Sequence, residues 1–143
     1  MTVRRLGPGD TATAEEACQL FEDDGPLDVR RFLARAEAAL FVAEDDGGVC
    51  GWIYGHELVH PDGESTMLLY SLDVDESAQR RGHGRDLVTA FVHHARSIGC
   101  TEVWVLTDDD NEAALATYAS AGGVRDADPS VMFVWKLAEG RHS

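Results

Sequence analysis

The spacing of apolar positions changes period along the chain, and each change marks an element. Val3 to Leu6 predicts a short first strand. Ala14, Ala17, Cys18, Leu20 and Phe21 then recur at helical spacing, behind Asp10 or Thr11 as a cap, and Asp23-Asp24-Gly25-Pro26 stops the run. A second helix is expected from about Leu27 to Ala38, with Val29, Phe32, Leu33 and Ala36 on one side. From Ala39 the period shortens. Ala39–Ala43 and Val49 to about Leu58 read as strands joined by Glu44-Asp45-Asp46-Gly47-Gly48, which is hairpin chemistry. After the turn His60-Pro61-Asp62-Gly63, Thr66–Val74 is a long apolar strand.

Helical spacing returns at Gly84–Ile98, on Leu87, Val88, Phe91, Val92, Ala95 and Ile98, and Gly99 ends it. Glu102–Leu106 predicts a strand, Asn111–Ala121 a helix capped by Asp110 or Asn111, and Val131–Leu137 a last strand, with one more short strand near Val124. The order βααβββαβαβ places hairpins first and helix-connected strands later. That predicts an α/β domain over residues 1–143, with a mixed central sheet and helices on both faces.

Composition narrows the function. The formal net charge of −14 disfavours a nucleic-acid partner and favours a cationic small molecule. No apolar run is long enough to span a membrane, and the N-terminal arginines precede no apolar stretch of a signal peptide. Cys18, Cys50 and Cys100 are odd in number and far apart, which suits small buried hydrophobes in a reducing cytoplasm.

Chemistry concentrates after the long strand. Leu72, Asp73 and Val74 lead into Gln79-Arg80-Arg81-Gly82-His83-Gly84-Arg85, and a helix begins at once. The first N–H groups of a helix have no intrahelical partner and carry partial positive charge, so they bind phosphate. Gly82 and Gly84 allow close backbone approach. The glycines alone fit a plain turn with solvated arginines equally well. Three arginines within a strongly acidic chain tip the balance towards an anion site. A dinucleotide fingerprint would need a third glycine, and a Walker loop a Gly-Lys-Ser/Thr; neither is present.

The run Gln79-Arg80-Arg81-Gly82-His83-Gly84 resembles the coenzyme A signature of the Gcn5-related N-acetyltransferases (GNAT). Asn111-x-x-Ala114-x-x-Thr117-Tyr118-x-x-x-Gly122 is similar to that family's late helix. The resemblance covers about Leu40 to Leu137. It implies the GNAT fold, acetyl-coenzyme A as cosubstrate and no metal. It also implies a strand parted from its neighbour at a bulge, so that backbone groups of Leu72, Asp73 and Val74 pair with the pantetheine arm. Backbone N–H groups from Arg80 to Arg85 would hold the pyrophosphate, and Asn111 would reach the pantetheine or cap its helix. Tyr118 would return a proton to the departing thiolate, while an N–H near Val74 steadies the oxyanion.

Within the family, Glu102 to Gly122, with Leu40 to Val74, looks most like the aminoglycoside 3-N-acetyltransferases, whose acidic loop and tyrosine helix Val105 to Tyr118 resembles through Asp108-Asp109-Asp110. That implies an aminoglycoside acceptor, attacked directly in a ternary complex. Ser71 stands where those enzymes carry an acid, and Asp73 supplies one two residues on. Asp73, Glu57 and the Asp108–Asp110 run are the candidate bases, and Glu57 with Ser71 also falls where the substrate would lie. Other acceptors compatible with the motif are another small amine, a polyamine or a protein N-terminus. A non-catalytic coenzyme A sensor is the reading from a different class. Relatives suggest a homodimer by analogy.

His56-Glu57-Leu58-Val59-His60 matches a zinc-protease motif, which works on a helix. Here it continues a strand, where positions four apart lie about 13 Å from one another. His93 and His94 are expected at the surface. Trp52, Trp104 and Trp135, all in strand-like runs, are expected in the core or an interface.

Overall fold

Alternation of apolar side chains in the middle third of the chain produces three long antiparallel strands, and the rest of the fold packs on them. The structure, a computed structural model, describes residues 1–22, 28–76, 82–126 and 131–138. Strand β1 (Thr2–Arg5) is followed by helices α1 (Thr11–Phe21) and α2 (Val29–Leu33). Then come β2 (Ala38–Asp45), β3 (Gly48–Val59) and β4 (Ser65–Val74), helix α3 (His83–Ser97), β5 (Val103–Trp104) and α4 (Glu112–Ser120). The sheet order is β1-β2-β3-β4-β5. Neighbours are antiparallel except β4 and β5, which run parallel. This is the mixed sheet expected from the hairpin-then-helix pattern.

The period of two along β2 divides the core. Leu40 and Val42 face α1 and α2, where they meet Leu6, Ala14, Ala17, Leu33, Val49 and Trp52. Ala39, Phe41 and Ala43 face the other way, onto Leu87, Val88, Phe91 and Ala95 of α3. Helices thus cover both faces. Phe91, Ile53, Met67, Leu87 and Val42 are the largest fully buried side chains. Each stabilises the fold by about 1.5–3 kcal/mol of apolar burial.

Two bulges interrupt the alternation. In β3, Ala43 pairs with Gly51 but Glu44 pairs with Val49, which leaves Cys50 extra. In β4, Tyr54 pairs with Ser71 but Gly55 pairs with Leu69, which leaves Tyr70 extra. A bulge bends and twists its strand and flips the parity of every later side chain. Before it, Met67 and Leu69 face α3; after it, Leu72 and Val74 do. Ser71 and Asp73 therefore turn to the face of Trp52, whose indole N–H meets the Asp73 carboxylate. Gly55 makes the bulge possible. A Cβ there would overlap the Leu68 carbonyl oxygen and come within 2.7 Å of the Phe91 ring.

Several expected boundaries move. The second helix is shorter than Leu27–Ala38 and starts at Val29, because Asp28 caps it by accepting from the Arg31 N–H at 3.4 Å. Asp10 does not cap α1 with its side chain. It accepts instead from the Gly7 N–H at 2.7 Å and pairs with Arg4 at 3.2 Å. β5 is two residues long rather than five, since only Met67↔Val103 and Leu68↔Trp104 pair. Val131–Leu137 forms no strand here and is solvent-exposed, as is Val124. Trp135 is accordingly exposed rather than in a core. His94 is half-buried with its ring 5.8 Å from that of Phe41, whereas His93 is exposed as expected. Cys50 is buried, Cys18 and Cys100 are half-buried, and all three are free thiols. No helix among the described residues is long and apolar enough to cross a membrane.

Replacing Gly55 by alanine should destabilise the protein by about 1–3 kcal/mol or more, because the obstacle is backbone and a packed ring rather than a flexible side chain. A urea unfolding midpoint lowered to match, with a larger loss than at the open Gly63, is the expected result.

Candidate active site

The β4 bulge begins at the residue where β4 and β5 stop pairing. Leu68 is the last residue of β4 with a β5 partner, and from Leu69 onward the two strands carry no ladder. A parallel pair that opens midway presents strand-edge backbone along one wall of a slot, which an extended ligand can complete as an added strand. Leu72, Asp73 and Val74 lie along that wall, as the sequence resemblance implied.

The slot leads to the start of α3. Gly82 is the N-cap, held in the left-handed region at φ 81°, and among the described residues no side-chain hydrogen bond caps the helix. The opening N–H groups of His83, Gly84 and Arg85 are therefore not taken up by a capping side chain, which suits an anion. A Cβ on Gly84 would lie 3.1 Å from a Thr117 methyl and 3.8 Å from a Val74 methyl. The end of β4, the start of α3 and the helix carrying Tyr118 thus converge within van der Waals reach. His83 contributes backbone only. Its ring is buried, with Nδ1 3.7 Å from Cys50 Sγ. Burial pushes that thiol's pKa up, followed by the charge of Asp45, so it stays protonated and unreactive. Arg85 is exposed, 3.8 Å from Asp86. Gln79, Arg80 and Arg81 lie outside the described residues.

Tyr118 stands half-buried on α4 against the α3-side core. Its phenol is pushed above the usual tyrosine range, first by burial and then by the charge of Asp73. Asp73 itself projects to the face of Trp52, opposite the α3-side core that holds Tyr118. Asp73 is itself held: Trp52 Nε1 donates to its Oδ2 at 2.9 Å, and the Ser71 hydroxyl donates to the same oxygen at 3.2 Å.

Beside Asp73 runs an aromatic wall that sequence reasoning missed. The Tyr54 ring lies 5.0 Å from Trp52, 5.4 Å from Phe32 and 5.6 Å from Tyr70. The Tyr54 hydroxyl donates to Glu22 Oε1 at 3.0 Å. Burial, then Glu22, drives the Tyr54 pKa far above its ordinary value. Aromatic faces next to carboxylates attract an ammonium by cation–π and charge together. The signal was present in the alternation Trp52, Tyr54, His56 along one face of β3, which reads as core until the parity flip in β4 is known.

The other expected site residues separate. Asn111 caps α4, accepting from the Ala114 N–H at 3.1 Å. Asp108, Asp109 and Asp110 form the exposed turn before it. Glu57 is not in the cluster. It accepts from the Ser65 hydroxyl at 2.8 Å and acts on His94. It stands five residues along β3 from Trp52, about 17 Å at strand rise. His56 and Glu57 do lie in a strand, the geometry that sets them apart from a zinc helix.

Comparison with known proteins agrees with this geometry. Residues 10–122 match the family model "Acetyltransferase (GNAT) family", and the chain belongs to that family. Among curated relatives, the mycothiol acetyltransferase of Thermomonospora curvata is 41% identical over 92 residues, covering 63% of this chain and 29% of that protein. The mycothiol acetyltransferase of a Nocardioides strain is 39% identical over 110 residues, 71% of this chain and 34% of its own. The chain thus spans about a third of the length of these relatives. Among solved structures, the aminoglycoside acetyltransferase meta-AAC0020 from a soil metagenomic sample, in complex with sisomicin, superposes with TM-score 0.83 at 22% identity, covering 96% of each chain. Aminoglycoside N-acetyltransferase AAC(6')-Iy in complex with CoA superposes with TM-score 0.76 at 16% identity, covering 95% of this chain and 100% of that one. The fold is the GNAT fold.

The raised tyrosine pKa values have a consequence for stability. Unfolded phenols ionise near 10.0, while folded Tyr54 and Tyr118 keep their protons to higher pH. Above that pH the folded state binds more protons than the unfolded one, so stability falls as pH rises, and below it their contribution is complete. Urea midpoints between pH about 9 and about 11 should decline less steeply in a Tyr54→Phe/Tyr118→Phe variant than in the parent.

Proposed function

We propose that this protein is an acetyl-coenzyme A-dependent N-acetyltransferase whose acceptor is a cationic amine, an aminoglycoside in the preferred reading and at its 3-amino group in the finest one. One observation carries this reading. A strand-edge slot leads to the N-terminus of α3, and the elements that border it carry the half-buried phenol of Tyr118 and the Asp73 carboxylate held by Trp52 and Ser71. The donor fits the residues present: β4 offers an edge for an amide-bearing arm, and α3 offers backbone N–H groups for a pyrophosphate. When bound, acetyl-coenzyme A supplies the acetyl group as an activated thioester.

The chain's own residues supply the rest. Asp73, fixed by Trp52 and Ser71, attracts the acceptor ammonium and takes its proton, directly or through water, so that the amine is free to attack. Tyr118 holds its proton well past neutral pH and donates it to the departing sulfur. The wall of Trp52, Tyr54 and Tyr70 excludes water from one side and favours a cation over a neutral acceptor. Asp108–Asp110 extend the acidic field and raise the encounter rate of a polycation. The fold neighbours that bind aminoglycosides support this choice. The identity to mycothiol acetyltransferases favours a second reading, in which the acceptor is the amine those enzymes acetylate.

A turnover screen reading free thiol across aminoglycosides, polyamines, peptides and the mycothiol-type acceptor decides among these. Stimulation by aminoglycosides is the expected result; silence with every amine would remove catalysis and leave a coenzyme A sensor. Tyr118→Phe should lower kcat by about 10²-fold or more while leaving the KM for acetyl-coenzyme A within a factor of two or so. Asp73→Asn should raise the acceptor KM about tenfold, the equivalent of about 1.4 kcal/mol.

A further inference from the structure

His83 is an unusual residue for its place. It opens α3 between Gly82 and Gly84, yet its ring is buried, with the residue 6% exposed. It heads the stripe Leu87, Val88, Phe91 and Ala95 that α3 buries against the sheet. At that position an apolar side chain would satisfy packing alone. A buried imidazole needs a polar partner, or it costs free energy. Here the partner is the Cys50 thiol, with Sγ 3.7 Å from Nδ1.

Cys50 is the extra residue of the β3 bulge, and its contacts run in three directions. Its thiol donates to the Ala43 carbonyl of β2 at 3.5 Å, which leaves the sulfur lone pairs for an Nδ1–H of the ring. Its own carbonyl accepts from the Asp75 N–H, just past β4, at 2.7 Å. One residue thus holds the chain where β4 ends and again where α3 begins. Those are the places where the slot meets the helix.

Direction is what the pair adds. The Asp86 N–H donates to the Gly82 carbonyl at 2.9 Å, so the amides of 83 to 85 are the ones that open the helix. Their aim follows the rotation of this first turn. Gly82 and Gly84 have no side chains with which to resist that rotation. Gly84 abuts α4, where a Cβ would come within 3.1 Å of a Thr117 methyl. The ring of His83 ties the same turn to the sheet. A backbone anion site binds well only when its N–H groups are already aimed.

We propose that His83 is a positioning residue for the acetyl donor, its ring tied to Cys50 so that the amides of His83, Gly84 and Arg85 converge on the pyrophosphate. This rests on the reading that the pyrophosphate lies at the start of α3.

The test compares acetyl-coenzyme A with acetylpantetheine, which carries the thioester and the arm but no pyrophosphate. The natural chain should prefer acetyl-coenzyme A in kcat/KM. In His83→Ala that preference should fall about tenfold, the equivalent of ordering one residue's backbone on binding, and through KM rather than kcat. His83→Asn, whose Nδ2 takes the place of Nδ1, should restore most of it. Cys50→Ala should show the same loss, and the double variant no further loss, because both changes break one link. A preference kept in His83→Ala, a rate lost equally with both donors, or losses that add in the double variant would overturn the proposal and leave the pyrophosphate site standing. A natural chain with no preference would remove both. If His83→Ala does not fold, Cys50→Ala decides, since a full preference without the thiol is fatal to the link.

Discussion

The arrangement depends on one extra residue in β4. Tyr70 has no partner on β3, and its insertion does two things at the same place. It turns the strand so that pairing with β5 ceases after Leu68, which opens the slot. It also flips side-chain parity, which sends Leu72 and Val74 into the α3-side core and Asp73 to Trp52 on the opposite face. Without the flip, an acid at position 73 would be driven into the apolar core. Gly55 is the local condition for both, because the bulged backbone occupies the space of its missing Cβ.

A net charge of −14 opposes a ligand rich in phosphate. The fold resolves this by drawing positive potential from backbone rather than side chains. The opening turn of α3 presents N–H groups behind a left-handed glycine, and among the described residues no side-chain hydrogen bond caps it. Those dipoles act within a turn of the helix, while the acidic field acts at longer range. The two charge preferences therefore occupy different ends of one slot. In the proposed reading, donor binding is local and backbone-made, and acceptor attraction is general and made by side chains.

Much of this was legible in the sequence because the signals were local. The phosphate loop is punctuated by Gly82 and Gly84, and the α3 stripe from Leu87 to Ala95 has an unmistakable period. The strands from Ala38 to Val74 also follow directly from alternation. What was not legible depends on pairing between distant residues. The Tyr70 bulge cannot be seen without its partners Tyr54 and Gly55, so the grouping of Tyr54 and Tyr70 beside Asp73 is not visible in the sequence. The family resemblance sets Glu57 by the substrate because the end of β3 borders the cleft there; in this chain Glu57 accepts from Ser65. The strand expected at Val131–Leu137 was inferred from composition alone, and composition cannot say which edge receives it.

Choice of acceptor must rest on the part of the slot that the fold leaves free to vary. Backbone supplies the donor side: an opened strand edge and a helix start. That side can serve relatives that share little sequence, as the likeness at 22% identity illustrates. In the proposed reading the acceptor side is built from the side chains of Trp52, Tyr54, Tyr70, Ser71, Asp73 and Glu22. Among them Trp52 links the two requirements. Its ring is buried on the α1 and α2 core, while its N–H holds the Asp73 carboxylate that would meet the amine. Acceptor identity and core packing are thereby coupled at that residue, so a change of substrate would be reached more readily through Tyr70 and Ser71, which only border the core.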